Sequence, residues 1–123
     1  MTDHNPDMEE LMLADDPEFN RVMECVFGIH EHECRTFLVL ADVPGSTVTE
    51  LAEDLDRDRS NVSRSLSTLY EKDLVERERR LLEGGGYVYQ YVAAPFSDVR
   101  ERLHHGVDAW SELVHDQIDE FGR

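Results

Sequence analysis

Arginine is the side chain best suited to chemistry in this chain. Eleven of the 12 basic residues are arginine, and Lys72 is the one lysine. Seven of the twelve fall between positions 57 and 80: Arg57, Arg59, Arg64, Lys72, Arg77, Arg79 and Arg80. Five acids stand among them (Asp58, Glu71, Asp73, Glu76 and Glu78), so this stretch is net +2 within a chain of net −16. A guanidinium is a planar fork of donors that fits a phosphate or a guanine edge with two parallel hydrogen bonds. Between the arginines lie Ser60, Asn61, Ser63, Ser67 and Thr68, small polar groups that can approach base edges. The combination suits the reading of nucleic acid.

A second group, Cys25, His30, His32 and Cys34, has metal-type donors. The alternation His30-Glu31-His32-Glu33-Cys34 would aim ligands one way on an extended segment. The spacing is not that of a zinc site, however, and the stretch reads as turning helical. The expectation is core cysteines and surface histidines, with these four residues as the ligand set if a metal site formed. A redox switch through Cys25 or Cys34 is the parallel alternative. Two cysteines are too few for a disulfide framework, which points to a reduced, cytoplasmic setting. His104, His105 and His115 read as exposed or at a dimer seam. Gly84–Gly86 is not a phosphate loop, because no Lys-Ser/Thr pair follows. No nucleophile stands beside a base, so no enzyme, cofactor or small-molecule substrate is expected; bound inorganic cations are compatible with the acidity.

The 123 residues fit one domain, and no run approaches the roughly 20 apolar residues of a membrane helix. Residues 1–16 are acidic and lack the basic and apolar regions of a secretion signal, so they read as a flexible arm. Residues 17–95 read as the binding domain, and 96–123 as a dimerisation helix. The 28 acids argue against nucleic acid on composition alone. In molar salt, though, charge is screened over about 3 Å, and a negative surface costs little stability while staying hydrated. This acid-rich, lysine-poor composition resembles proteins of halophilic archaea.

The elements that must position the arginines follow from periodicity. Phe19, Val22, Met23, Val26 and Phe27 form one helical stripe after Asp16-Pro17, ended by Gly28. A second helix runs from about Glu31 to Asp42 and stops at Pro44-Gly45. Thr47-Val48-Thr49-Glu50 is a capping box for a short helix with Val48, Leu51, Ala52 and Leu55. Asp56-Arg57 makes a turn, and Asp58 caps a helix over 58–72 with Val62, Leu66, Leu69 and Tyr70 inward. From Leu74 the period becomes two: strands on either side of Gly84–Gly86 make a hairpin over 75–92. Ser97 caps a final helix to about Phe121, with the stripe Val99, Leu103, Val107, Trp110, Leu113, Val114, Ile118 and Phe121. The fold class is mainly α with a small β-hairpin, a winged helix-turn-helix flanked by an N-terminal helix and a long C-terminal dimerisation helix.

The segments Thr49-Glu50-Leu51-Ala52, Asn61-Val62-Ser63-Arg64-Ser65-Leu66 and Leu69-Tyr70-Glu71-Lys72-Asp73-Leu74-Val75 resemble winged-helix transcription regulators of the MarR and TrmB-like type from halophilic archaea. The likeness covers about residues 30–95, with Asp56 where glycine is frequent. It implies a regulator that binds double-stranded DNA. Ser60, Asn61, Ser63, Arg64 and Ser67 would face base edges and nearby phosphates, with Arg64 on guanine. Arg57 and Arg59 would hold phosphates at the helix N-terminus, and Thr47 and Thr49 would donate hydroxyls to the backbone. Arg77, Arg79 and Arg80 would lie on the wing; a solvated ladder with Glu76 and Glu78 is the equal alternative.

The last helix, roughly 37 Å long, outruns so small a core while its apolar stripe continues. A second copy is the simplest cover, with Phe19, Val22, Val107, Trp110, Val114, Ile118 and Phe121 at the seam and a near-palindromic target. In molar salt, counterion release contributes little to DNA affinity; cations held between acids and phosphates are the expected remedy. The competing function is an acidic protein-interaction module that has lost sequence-specific DNA binding.

Overall fold

Each apolar stripe becomes a helix face in the computed structural model, which describes residues 17–123. The acidic arm expected at residues 1–16 lies outside them. Helices α1 (Pro17–Phe27), α2 (Glu31–Asp42), α3 (Val48–Leu55) and α4 (Arg59–Glu71) precede strands β1 (Val75–Leu81) and β2 (Tyr87–Ala93), and α5 (Phe96–Glu120) closes the chain. This is the expected order and the winged helix-turn-helix class.

Helix α2 is the central post. It buries Cys34, Phe37, Leu38 and Leu40, against which Leu51 and Ala52 of α3 and Val62, Leu66 and Leu69 of α4 pack. Leu74, Val75 and Tyr91 bring the root of the wing into the same core, and Val99 attaches α5. Thr36 is wholly buried, and its hydroxyl donates to the His32 carbonyl at 2.8 Å, so no polar group is stranded there.

The capping box of α3 forms as its sequence requires. The Glu50 amide donates to the Thr47 hydroxyl at 3.2 Å, and the Thr47 amide donates to Glu50 Oε1 at 2.9 Å. The start of α5 departs from expectation. It begins at Phe96, with Pro95 rather than Ser97 at the cap and no side-chain cap bond. Pro95 supplies the non-helical entry through its own backbone, φ −57° and ψ 140°, leaving Ser97 inside the first turn.

Two residues leave the stripes assigned to them. Tyr70 is 41 % exposed and Ser65 takes the buried place on α4, because the ring of Tyr70 stacks toward the wing instead. Val22 is exposed, and Met23 is the fully buried residue of α1.

Strands β1 and β2 pair antiparallel from Val75 with Ala93 to Leu81 with Tyr87. A third segment joins them without any periodicity to announce it. The Gly45 amide donates to the Tyr91 carbonyl at 2.8 Å, and the Tyr91 amide donates to the Ser46 carbonyl at 2.9 Å. One residue of pairing thus ties the α2–α3 loop to the wing.

Candidate nucleic-acid interface

The turn between α3 and α4 sets the angle of the exposed helix. Asp56 adopts the left-handed conformation, φ 52° and ψ 50°, and its amide bonds back to α3. Aspartate tolerates this region better than most side chains, so it can replace the more usual glycine. Asp58 then caps α4, accepting from the Ser60 amide at 3.1 Å and from the Ser60 hydroxyl. That hydroxyl, followed by the amide, holds the Asp58 carboxyl below its ordinary pKa. The positive end of the α4 dipole is therefore already met by a carboxylate.

The outward face of α4 carries Arg59, Ser60, Asn61, Ser63, Arg64 and Ser67, all exposed. Its inward face is Val62, Ser65, Leu66 and Leu69. Arg64 Nη2 donates to Asn61 Oδ1 at 3.0 Å, so the two candidate base readers orient one another one turn apart. Ser60 and Thr47, expected to contact DNA, have their hydroxyls engaged in caps. Thr49 is exposed and Arg57 half-buried.

The wing is two-faced. Register puts Arg77 and Arg79 on one face with Tyr87, Tyr89 and Tyr91, and Glu76, Glu78 and Arg80 on the other with Val88, Gln90 and Val92. The guanidinium carbon of Arg77 lies 4.1 Å from the Tyr70 ring centre and 4.2 Å from that of Tyr89; Arg79 lies 4.9 Å from Tyr87. The tyrosine rings meet edge to face, Tyr87 with Tyr89 and Tyr89 with Tyr91. The three wing arginines taken as one group thus divide, with Arg80 among the glutamates. The tyrosines are the members that sequence reasoning missed. Their signal was the Tyr-x-Tyr-x-Tyr run facing Arg-x-Arg.

The metal-type residues do not gather. Cys34 is fully buried, and burial followed by the Glu33 charge pushes its thiol up to about 12. Cys25, expected in the core, is exposed. It lies off the stripe of α1, in a cleft lined by Val22, Val26, Gly106, Val107 and Trp110. His30 Nδ1 approaches Glu24 at 3.6 Å and His32 Nε2 approaches Glu33 at 3.8 Å. Among the described residues no three His, Cys, Asp or Glu side chains converge.

Of the expected seam residues, Phe19 packs against its own core and Val114 is half-buried. Val22, Val107, Trp110, Ile118 and Phe121 are exposed, Trp110 by 66 % and Phe121 by 88 %.

Residues 23–97 match the family described as sugar-specific transcriptional regulator TrmB. The chain belongs to the TrmB family. It is 29 % identical to the uncharacterized protein MJ1503 of Methanocaldococcus jannaschii over 83 % of this chain and 77 % of that one. A possible transcriptional regulator from Methanosarcina mazei Go1 superposes with a TM-score of 0.78 at 25 % identity, over 84 % of this chain and 88 % of the other. A MepR variant of S. aureus bound to an oligodeoxyribonucleotide shares the fold, with a TM-score of 0.54 at 16 % identity over 94 % and 78 % of the two chains. Family and fold are those of winged-helix transcription regulators, not of enzymes. Among the described residues no helix is long and apolar enough to cross a membrane.

Proposed function

We propose that this TrmB-family regulator binds a near-palindromic DNA site as a homodimer, with α4 in the major groove and the wing over the adjacent backbone and minor groove. The observation that carries the reading is the outward face of α4. It is a row of serines around the Arg64–Asn61 pair, small enough to enter the groove and equipped with a guanine-reading fork. A helix serving only solubility would favour stronger helix formers over this serine-rich face. The solved MepR variant, of the same fold, carries DNA.

The second copy docks through the outer stripe of α5, where Val107, Trp110, Ile118 and Phe121 are exposed. A two-fold pairing there would set two α4 helices about 34–36 Å apart, one turn of DNA. We further propose a halophilic archaeal setting in the cytoplasm, with cations held between phosphates and the protein. The exposed carboxylates Glu50, Glu53, Asp54, Asp56 and Asp58, on α3 and the turn before α4, support that reading.

The test is selection from random genomic duplexes in molar potassium chloride, wild type against Arg64→Ala, with the mass measured by sedimentation. A palindromic motif selected by a dimer and lost in Arg64→Ala is the expected result. Failure to select any DNA would replace the reading with a protein-docking module, and a steep fall of log K with log salt would remove the cation-bridged part.

A further inference from the structure

The joint between α4 and the wing is gripped from outside. The chain leaves α4 through Asp73 in the left-handed conformation, φ 59°. The Leu74 amide donates to the Leu69 carbonyl at 2.9 Å and the Asp73 amide to the Tyr70 carbonyl at 3.1 Å. This is the Schellman arrangement, with aspartate in the usual place of glycine. It satisfies the Leu69 and Tyr70 carbonyls and leaves those of Lys72 and Asp73 pointing away from the helix. Arg102, on α5, takes both: Nη1 donates to Asp73 O at 2.8 Å and Nη2 to Lys72 O at 2.5 Å. The same guanidinium lies 5.0 Å from the ring centre of Phe27 at the end of α1.

Three elements meet in this one side chain. Helix α5 packs on α1, and the Arg102 fork lies beside the end of α1 and reaches the point where α4 turns into the wing. Both accepting carbonyls lie at the negative end of the α4 dipole, which favours a cation there. Two parallel donors fix orientation as well as position, which a lysine ammonium cannot do. The accepting carbonyls are at the surface, where water can replace the fork, so stability does not require it.

We propose that Arg102 is a positioning residue for DNA recognition, locking the α4–wing joint to the helix that pairs the two copies. The inference rests on the dimeric regulator reading above. The orientation of each α4 relative to the two-fold axis is then set by the fork, and with it the spacing of half-sites the dimer accepts. A merely structural arginine would change stability and affinity together and leave the preferred spacing alone.

The experiment uses the full chain and a duplex library in which two copies of the selected half-site stand at varied separations. Wild type, Arg102→Lys and Arg102→Ala are compared in molar potassium chloride, with thermal midpoints and sedimentation mass recorded in parallel. Both variants are expected to remain folded dimers and to keep the half-site sequence. Their spacing preference should broaden, and affinity for the optimal spacing should fall by about 5- to 10-fold. Unchanged spacing in both variants, with or without a loss of stability, overturns the proposal. A wild type that prefers no spacing overturns it differently, by removing the dimeric reading on which it rests.

Discussion

Arg77 is stacked on Tyr70, its guanidinium carbon 4.1 Å from the ring centre, and it lies 4.2 Å from the ring centre of Tyr89 as well. One wing cation is thus held by rings of α4 and of the return strand, and the expectation is that it orients the wing rather than reaching for phosphate. Arg77→Ala and Tyr70→Ala should therefore be non-additive in stability, with a coupling of about 1 kcal/mol in a double-mutant cycle by chemical denaturation. Independent effects would mean that the stack contributes nothing. Arg77→Ala should also weaken DNA binding while leaving the salt slope of log K unchanged, because a wing-orienting role involves no phosphate contact.

The arginines outside that stack divide by face. Arg64→Ala should cost about 1–3 kcal/mol at the preferred site and relax the choice of base at one position per half-site. Arg79→Ala, on the tyrosine face, should weaken all sequences alike, as a backbone contact does. Arg80→Ala, among Glu76 and Glu78, should change binding least. Fluorescence anisotropy with operator and scrambled duplexes separates the three; equal effects of Arg79→Ala and Arg80→Ala would contradict the two-faced wing.

Helix order, the hairpin and the two N-terminal caps at Thr47 and Asp58 were legible because each depends on neighbours within one or two turns. Thr47 and Glu50 are three residues apart and need nothing else to find one another. Tyr70 was misplaced because periodicity records which residues share a side, not whether that side faces the core or another element. The Ser46–Tyr91 bridge left no trace because one paired residue has no period. The cleft that exposes Cys25 depends on where α5 crosses α1, a distance in space that spacing along the chain does not encode.

That crossing is set by Gly106. A Cβ built there would lie 2.6 Å from Val26 Cγ1, closer than side-chain atoms tolerate. Alanine in a helix interior gains about 1 kcal/mol over glycine, while forcing packed elements apart costs about 1–3 kcal/mol. Gly106→Ala alone should therefore destabilise the fold. With Val26→Ala beneath it the obstruction is gone and the same change should stabilise by about 1 kcal/mol. Thermal unfolding of the four proteins in this cycle reads the sign. Stabilisation by Gly106→Ala in the wild-type background would mean that Val26 yields freely and that the crossing is not fixed there.

Asp58 links stability to pH, and the proposed docking of α4 would bring DNA to the same carboxylate. Its carboxyl is held below the ordinary value by the Ser60 hydroxyl and amide, with Arg64 adding a smaller attraction. A depressed folded pKa means that the cap's stability is present above the ordinary carboxylate pKa and is lost as pH falls through the folded value. Wild type should lose thermal stability on acidification relative to Asp58→Asn, which keeps an accepting oxygen at the cap but no proton to take up. The same carboxylate stands at the start of the helix proposed to enter the groove, where it opposes approaching phosphates. Asp58→Asn should therefore tighten binding to any duplex at low salt. The advantage should vanish in molar potassium chloride, where screening acts over about 3 Å. An advantage that persists there would point to a direct contact by the new amide rather than to relief of charge.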